Sequence, residues 1–347
     1  MSYDEVMPKA RCEDYMNTEL VEQTEKVFDN GEIEILTGRA NPQLAHDVAG
    51  LLGKCEEDVV SRFPDSEVRV KISSELRKKS VFIFQPTSPP SVDENLMELL
   101  LTLDAAKRAS AAEVTAVIPY FGYSRQDWKE QSGVPISSAL AAGLIQFAGA
   151  DRLLTIDIHS NQSQGFIRAP WDNLWGSPVL ISHMRDLLDP PNLVIVSPDA
   201  SGVKRAYKDA VYIGTPYIAV VYKDRDIHTG KTTAIHMSGA EYMDGKDVLI
   251  VDDMLAGGGS AINAAVEAKK HGARRIWFAA THGLFLGTAL DDLWKSPIDK
   301  IYVTDTVKHH PFVWENKKIE IVPIAPLLAE AIRRIHTGQT MSDLFME

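Results

Sequence analysis

The sequence has almost no cysteine, with only Cys12 and Cys55 among its 347 residues. Two cysteines exclude a disulfide framework and a cysteine-based metal cluster, and they predict a reducing, cytoplasmic setting. Long apolar runs are also absent. No stretch approaches the ~20 residues that a membrane helix needs. The polar, acidic segment 1–30 has no apolar signal core, so we expect no membrane association.

Positive charge is scarce as well, and the formal net charge is −12. A surface of this sign repels nucleic acid and anionic lipid over long range, so we expect neither as a partner. If the chain handles polyphosphates, it must do so locally, through metal ions, backbone N–H groups and a few cations. Hydrophobic residues make up 45% and charged residues 24%, which is typical of a globular protein. The length of 347 residues is too great for one ordinary core and sufficient for two.

Short β-branched runs alternate with longer amphipathic stretches, and this alternation predicts an α/β fold. Because the strands are apolar on both faces, we expect mostly parallel sheets flanked by helices. The predicted strands are Val68–Ile72, Val81–Phe84, Val114–Ile118, Leu153–Ile158, Leu193–Val196, Tyr217–Val221, Val248–Val251, Ile276–Ala280 and Ile301–Thr304. The predicted helices are Glu94–Ser110, Ile136–Ala148, Val179–Leu188, Ala261–His271 and Leu328–Ile335.

The alternation breaks at the Pro-rich segment Asp189–Asn192. A run of this kind favours a joint between domains. We therefore predict an extension over 1–30, a first domain over 31–189 and a second domain over 190–347. The final helix of the second domain is a candidate to pack back on the first.

The strongest local signal is a strand that leads into two acids and a glycine triplet. Asp252 and Asp253 follow the strand, and Ala256, Gly257, Gly258, Gly259 and Ser260 lead into the next helix. A glycine-rich turn at a helix N-terminus favours the binding of a phosphate monoester by backbone N–H groups. The acids would then face the hydroxyls of a pentose. The alternative is a plain turn with solvated acids, but each glycine costs conformational entropy unless the backbone needs it.

This loop resembles the phosphoribosyl-diphosphate loop of type I phosphoribosyltransferases. The rest of the chain, from about Leu36 to Phe345, resembles the ribose-phosphate pyrophosphokinase family, which implies two tandem phosphoribosyltransferase-like domains. The segments that carry the resemblance are Gly38–Pro42, Arg62–Glu67, Gln85–Pro90, Glu94–Leu99, Ile118–Asp127, Thr155–Ser160, Gln164–Phe166, Ser197–Gly202, Lys223–Arg225, Thr281–Gly283 and Ser342–Phe345.

The resemblance implies an enzyme that transfers the diphosphate of ATP to the 1-hydroxyl of ribose 5-phosphate and releases AMP. It further implies that His159 and Asp199 bind Mg²⁺ and that Lys223 and Arg225 form a catalytic arm. Residue chemistry agrees, since such transfers need positioning and charge neutralisation. The alternatives are a core or capping role for His159 and a solvated turn for the arm.

The resemblance also assigns the ATP side of the site. Arg125, Gln126 and Asp127 are expected to bind ATP, together with an adenine loop that contains Phe63, Asp65 and Glu67. A core position is the alternative for Phe63. In the family this loop reaches a neighbouring subunit. A dimer-based homo-oligomer is therefore implied, with a hexamer as one candidate.

Two departures from the family pattern bear on activity. Ala256 stands where the family commonly has a third aspartate, and Ser260 replaces a threonine. After Asp127 the family has several basic residues that bind regulatory phosphate or ADP, whereas here Lys129 alone is basic, among Trp128, Glu130, Gly133 and Ala139. We therefore predict weak or absent activation by phosphate, because the site loses its cations.

Two other hypotheses remain open from the sequence. A non-catalytic subunit of the same fold would modulate an active homologue, and Ala256 is its best support. A phosphoribosyltransferase would consume the diphosphate product, but the ATP-side segments oppose this reading. The His309–His310 pair has no explanation from the sequence.

Overall fold

The computed structural model describes residues 33–225 and 232–345, without the side chains of residues 223–225 and 232–234. The first half forms a six-stranded sheet in the order β2-β1-β5-β6-β7-β8, with every neighbouring pair parallel. Its strands are β1 (Ile33–Thr37), β2 (Glu56–Asp58), β5 (Ser80–Phe84), β6 (Glu113–Ile118), β7 (Arg152–Ile156) and β8 (Trp171–Leu174). The remaining pair, β3 (Val60–Arg62) and β4 (Val68–Val70), lies outside this sheet.

Helices cover both faces of the first sheet. They are α1 (Pro42–Leu51), α2 (Val92–Arg108) and α3 (Ser137–Phe147), while α4 (Ser177–Met184) packs through Leu180 and Met184 on Ile195, Leu249 and Trp277 of the second half. In β5, Phe82 and Phe84 pack on the face that holds α1, whereas Val81 and Ile83 pack on the face that holds α2. This alternation follows from the two-residue period of a strand, and it explains why both faces of the segment read as apolar in sequence.

The second half forms a seven-stranded sheet in the order β11-β10-β9-β12-β13-β14-β15. All its pairs are parallel except β10 with β11. The strands are β9 (Leu193–Ser197), β10 (Ile218–Arg225), β11 (Thr232–Ser238), β12 (Asp247–Leu255), β13 (Ile276–Gly283), β14 (Lys300–Thr304) and β15 (Ile319–Val322). The helices are α5 (Val203–Ile213), α6 (Gly259–Lys270), α7 (Ala289–Lys295), α8 (Pro311–Trp314) and α9 (Ala325–Thr337).

The last long helix, α9, packs against α1 of the first sheet. Leu328 and Ile332 share one apolar cluster with Leu44 and Val48. The chain passes from the first sheet to the second through a 3₁₀ turn at Pro190–Asn192. The division into two domains at this turn stays a prediction.

The α/β class with mostly parallel sheets flanked by helices is confirmed. One predicted strand lies outside the parallel sheets. The segment predicted as the strand Val68–Ile72 forms β4, which pairs antiparallel with β3 in a separate hairpin. Its side chains are exposed or half-buried, as expected for a hairpin that is not enclosed on both faces. Over residues 33–225 and 232–345, no helix combines the length and apolarity that a bilayer span requires.

Candidate active site

The carboxyl edges of the two sheets meet around a side-chain contact between His159 and Asp253. His159 follows β7 of the first sheet, and its Nδ1 lies 2.8 Å from Oδ2 of Asp253 in β12 of the second. Ligands of open α/β sheets bind at such edges. This contact joins residues that are 94 positions apart in sequence. We call the space bounded by His159, Asp199, Asp252 and Asp253 the β9/β12 cleft.

The two adjacent carboxylates of the β9/β12 cleft have unlike environments. Burial alone would raise the pKa of Asp253, but the hydrogen bond with His159 and the charge of Arg205 outweigh it and hold this pKa well below its usual range. Burial, followed by the charge of Asp253, raises the pKa of Asp252. The hydrogen bond with Asp253 in turn raises the pKa of His159. Asp253 and His159 therefore stabilise each other, next to an acid that ionises less readily.

The acids lie within a strand and do not follow it, which corrects the sequence interpretation. Strand β12 runs to Leu255 because its pairing with β13 continues past Asp252 to Met254 and Leu255. Asp253 N–H donates to Oδ1 of Asp252 at 2.9 Å, and the charge of Asp253 acts on the pKa of Asp252. Asp253 also contacts His159. The two carboxylates therefore border one cleft but differ in their contacts with the first sheet.

A buried ion pair that the sequence analysis did not assign supports the cleft from below. The side chain of Asp157, just after β7, is 2% exposed, and its Oδ1 accepts from Nη1 of Arg205 on α5 at 2.8 Å. Its Oδ2 accepts from Gly176 N–H at 2.8 Å and from the Thr281 hydroxyl. All three partners follow β8 in the chain, and Arg205 and Thr281 belong to the second half. The ion pair therefore connects the first sheet to the second.

The glycine-rich loop is open to solvent. Gly257 and Gly259 are exposed, and a Cβ atom at either position would meet nothing within 4 Å. Gly258 has φ +78°, a left-handed conformation that favours glycine, and it immediately precedes α6. Ala256 accepts a backbone hydrogen bond from Leu286 at 2.9 Å. The loop is therefore anchored at its start, Gly258 is buried against Leu293, and Gly257 and Gly259 face open space.

Asp199 lies at the turn between β9 and α5. Its Oδ1 accepts from the N–H groups of Ser201, at 3.0 Å, and Gly202, at 3.1 Å. Oδ2 has no hydrogen-bond partner within the described chain. Asp199 is near enough to Asp252 to raise its pKa further. The predicted metal residue therefore belongs to the same cleft as the acid pair.

The predicted ATP-side loop also reaches the cleft. Arg125 follows β6, and its Nε lies 3.1 Å from the sulfur of Met254, the residue after Asp253. The charges of Arg125 and Asp127 act on the pKa of His159 in opposite directions, the arginine lowering it and the aspartate raising it. Gln126 holds the start of α3, since its backbone oxygen accepts from Ser138 N–H at 3.1 Å.

The predicted adenine loop lies elsewhere on the molecule. Phe63 sits at the tip of the β3–β4 hairpin, is 45% exposed, and has Arg69 5.5 Å from its ring centroid. The core position considered for Phe63 is therefore wrong. Asp65 accepts from Glu67 N–H at 3.1 Å within the same turn. Within the described residues, no hydrogen bond, ion pair or ring contact joins this loop to Arg125 or His159.

The backbone of the predicted catalytic arm lies in a strand. Lys223 and Arg225 belong to β10, which pairs antiparallel with β11 up to Arg225 and Thr232. They were expected beyond the strand Tyr217–Val221, but the pairing with β11 extends it. Their side chains, and the chain from 226 to 231, lie outside the described residues.

In the part of the chain that the structure describes, no three His, Cys, Asp or Glu side chains are arranged to hold a metal ion. His159 and Asp199 each keep one ligand atom, Nε2 and Oδ2, without a hydrogen-bond partner in that part. A hard cation that takes two protein ligands and completes its shell with water and phosphate oxygens fits this donor set.

Comparisons with known proteins extend over both sheets. The family model described as the N-terminal domain of ribose phosphate pyrophosphokinase matches residues 33–149. The phosphoribosyl synthetase-associated domain matches residues 230–346. A ribose-phosphate pyrophosphokinase of Hyphomonas neptunium is 40% identical over 90% of this chain and 99% of its own length. One from Aquifex aeolicus is 42% identical over the same shares. The phosphoribosylpyrophosphate synthetase structure from Mycobacterium smegmatis superposes with a TM-score of 0.81 and 31% identity, over 88% of this chain and 99% of that one.

Two mostly parallel sheets that meet at their carboxyl edges over carboxylates and a glycine-rich turn define an α/β protein of the phosphate-binding class. The matches specify the class further. The chain belongs to the ribose-phosphate pyrophosphokinase family. The resemblance stated from the sequence is confirmed, and with it the expectation that the chain is an enzyme.

Proposed function

We propose that the chain transfers the diphosphate of ATP to the 1-hydroxyl of ribose 5-phosphate, which gives 5-phosphoribosyl 1-diphosphate and AMP. The observation that carries the proposal is the His159–Asp253 contact, because it places residues expected on the ATP side and on the sugar side within 2.8 Å of each other. In-line transfer needs this proximity more than it needs a strong base.

Ribose 5-phosphate takes the second-sheet half of the cleft. The 5-phosphate lies in the open loop, where backbone N–H groups of Gly257–Ser260 and the N-terminus of α6 meet a dianion. Asp252 and Asp253 face the sugar hydroxyls. Because Asp253 is held ionised by His159 and Arg205, it is the stronger acceptor of the two.

Mg²⁺ would be held by His159 and Asp199, through the ligand atoms that have no hydrogen-bond partner in the described part of the chain. When bound, the ion neutralises charge on the phosphate oxygens of ATP. Asp253 fixes the ring of His159 through Nδ1, so that Nε2 faces the ligand.

ATP takes the first-sheet half. Arg125 lies at the boundary of the two halves, next to Met254, and supplies a guanidinium to the phosphates. Gln126 and Asp127 complete this loop. Phe63, Asp65 and Glu67 serve the site of a neighbouring subunit, since the exposed ring of Phe63 has no contact with the cleft of its own chain. The working enzyme is accordingly a homo-oligomer.

Lys223 and Arg225 act as the arm that closes over the transferring group. Both lie on the strand next to β9, so the arm begins beside Asp199. A pair of cations that arrives with closure stabilises charge in the transition state and expels water.

The test is AMP formation by the purified chain with ATP, Mg²⁺ and ribose 5-phosphate. We expect Lys223→Ala and Arg225→Ala each to lower turnover by about two to three orders of magnitude. Lys317→Ala, at an exposed position far along the chain from the cleft, is the matched control and should retain wild-type turnover. Full turnover in both arm variants would show that the arm is misassigned.

A non-catalytic subunit is the second candidate, and Ala256 favours it, since the loop lacks one carboxylate there. This candidate predicts no AMP from the chain alone and a changed rate when an active homologue is added. Turnover by the isolated chain excludes it.

A further inference from the structure

A second crevice opens at the carboxyl ends of β1 and β5. It has a volume of about 820 Å³. Four segments form its walls. They are Arg39 and Ala40 after β1, Arg62 at the end of β3, Pro89–Ser91 and Glu94 after β5, and Lys308–Pro311 after β14. We call it the β1/β5 crevice. None of its lining residues belongs to the β9/β12 cleft.

The β1/β5 crevice lies where the strand order of the first sheet reverses. Strand β1 leads into α1, whose Leu44 and Val48 pack on one face of the sheet. Strand β5 leads into α2, whose Leu99 and Leu103 pack on the other. Loops that diverge in this way leave a gap at the strand ends, and this gap is the usual ligand position of open α/β sheets.

A buried polar network holds the walls of the crevice in place. Gln85 Oε1 accepts from Ala40 N–H at 3.2 Å, and its Nε2 donates to Glu98 at 2.8 Å. Asn95 Nδ2 donates to the carbonyl of Ser88 at 2.8 Å. Gln85, Asn95 and Glu98 are 1%, 7% and 1% exposed. The gap is therefore built into the fold, because these residues connect both loops to α2.

Basic side chains outnumber acids in this crevice, although the whole chain has a net charge of −12. Arg39, Arg62 and Lys308 face Glu94 and Glu98. Glu98 holds Arg39 through Nε at 2.8 Å, while the Arg39 side chain stays 44% exposed. A guanidinium fixed at one edge and open at the other is arranged to meet a second anion.

Two further donors face the crevice. The Ser91 side chain makes no capping hydrogen bond at the start of α2, a 17-residue helix, so first-turn N–H groups are left for another acceptor. His310 accepts from Phe312 N–H through Nδ1 at 3.4 Å, which leaves Nε2 as a donor. The histidine pair without a role in sequence thereby acquires one, since His310 lines the crevice and His309 is buried behind it.

We propose that the β1/β5 crevice is a second anion site that binds the phosphate dianion of a small molecule between Arg39, Lys308, His310 and the N-terminus of α2. The shared chemistry is a phosphate monoester or free phosphate. Because Lys308 and His310 follow a second-sheet strand whereas Arg39 follows a first-sheet strand, a bound dianion bridges the two sheets.

Histidine ring NMR tests this site separately from the catalytic one. The full chain, labelled with ¹⁵N in its histidines, is titrated with inorganic phosphate, ribose 5-phosphate and AMP at constant pH and ionic strength. The resonances of His310 are assigned from their loss in His310→Gln. His310 reports the β1/β5 crevice and His159 reports the β9/β12 cleft, so failure of the proposed function leaves this test intact.

We expect a saturable shift of His310 with at least one of the three probes. Lys308→Glu should raise its midpoint by about tenfold or more, whereas Lys317→Glu, with the same change in charge outside the crevice, should not. The probe with the lowest midpoint identifies free phosphate, sugar phosphate or nucleotide as the source. The resonance of buried His309 reports folding, and Lys308→Gln replaces Lys308→Glu if that resonance moves in the unliganded variant. An unmoved His310, or equal midpoints in the Lys308 and Lys317 variants, overturns the proposal.

Discussion

The β1/β5 crevice and the β9/β12 cleft occupy the same topological position in their two sheets, but their charges are opposite. The β9/β12 cleft gathers Asp199, Asp252 and Asp253, whereas the β1/β5 crevice gathers Arg39 and Lys308. A phosphate ligand can enter the crevice directly. In the cleft, the carboxylates must first be offset by a metal, an arm or a helix N-terminus. Strand order therefore determines where a site lies in the sheet, and the residues that follow the strands determine what the site binds.

A first test of the difference between the two sites removes the arginine that supports each of them. Arg205→Met leaves the carboxylate of Asp157 buried without its charged partner, and we expect a loss of about 3–5 kcal/mol in the free energy of unfolding. Arg39→Met should cost less, about 1–2 kcal/mol, because the Arg39 side chain is 44% exposed and its pair with Glu98 is partly solvated, whereas the Arg205 side chain is 13% exposed.

Urea unfolding of both variants measures this difference. Arg77→Met is the matched control, since its side chain is 71% exposed and its nearest ion pair spans 4.0 Å. Equal losses for Arg205→Met and Arg39→Met would mean that the two gaps are supported alike and would contradict the comparison.

A second test uses a buried acid beneath the β9/β12 cleft. Asp209 lies one helical turn after Arg205, is 0% exposed, and makes no hydrogen bond of good geometry in the described chain, although the Ser177 hydroxyl is near enough to lower its pKa. Burial raises the pKa of Asp209 from 3.8 to about 7, against the attraction of Arg205 and Lys208 and with the repulsion of Asp157. The folded state therefore binds a proton between these pH values that the unfolded state has lost, so the stability contributed by Asp209 falls as pH rises from about 4 to about 7.

Asp209→Asn should remove this dependence. Relative to wild type, the variant should gain stability across that window and reach a plateau above pH 7, with an upper bound on the order of 4 kcal/mol. Asp186→Asn, at an exposed position, is the control. A difference between Asp209→Asn and wild type that does not change with pH would show that Asp209 is ionised in the folded state throughout.

A third test concerns turnover, which we propose takes place in the β9/β12 cleft. Asp253→Asn removes the charge that orients and stabilises His159, and we expect turnover to fall by about 10- to 100-fold. AMP release at saturating substrate measures it, with Asp186→Asn as the control for a lost surface carboxylate. A wild-type rate in Asp253→Asn would remove His159 from the proposed mechanism.

Much of this architecture could be predicted from the sequence, because buried parallel strands are continuous apolar runs that end in functional loops. The segments at Val248 and Ile276 were found for that reason. Strands whose burial is partial were not predicted: β2 reads Glu-Glu-Asp, and β3 lies in a hairpin outside the sheets. Edge strands carry no such signal, since their pairing depends on the neighbouring strand.

The site was predictable where a local motif or the family pattern indicated it. The acid pair and His159 were singled out, but the Asp157–Arg205 pair and the β1/β5 crevice were not. Arg39 and Lys308 are 269 positions apart, and nothing in either local sequence indicates that they face one space. Contacts between sheets depend on how the sheets meet, and no local periodicity records that. Asp157 has a φ of +44° in the structure, a left-handed conformation that aspartate adopts more readily than most residues.

The last test, which has the smallest expected effect, separates phosphate binding from activation of turnover by phosphate. In the family resemblance, regulatory phosphate binds basic residues after Asp127, but here that segment offers an exposed Trp128 and Lys129 alone. We expect the initial rate to change by less than about twofold across phosphate concentrations at matched ionic strength, since a charge-assisted site without its cations is weak. Strong activation would contradict this, and the Lys308→Glu variant would then locate its source. If activation disappears in that variant, the β1/β5 crevice has taken over the activating role. If it persists, the loop after Asp127 binds phosphate through groups other than its missing cations.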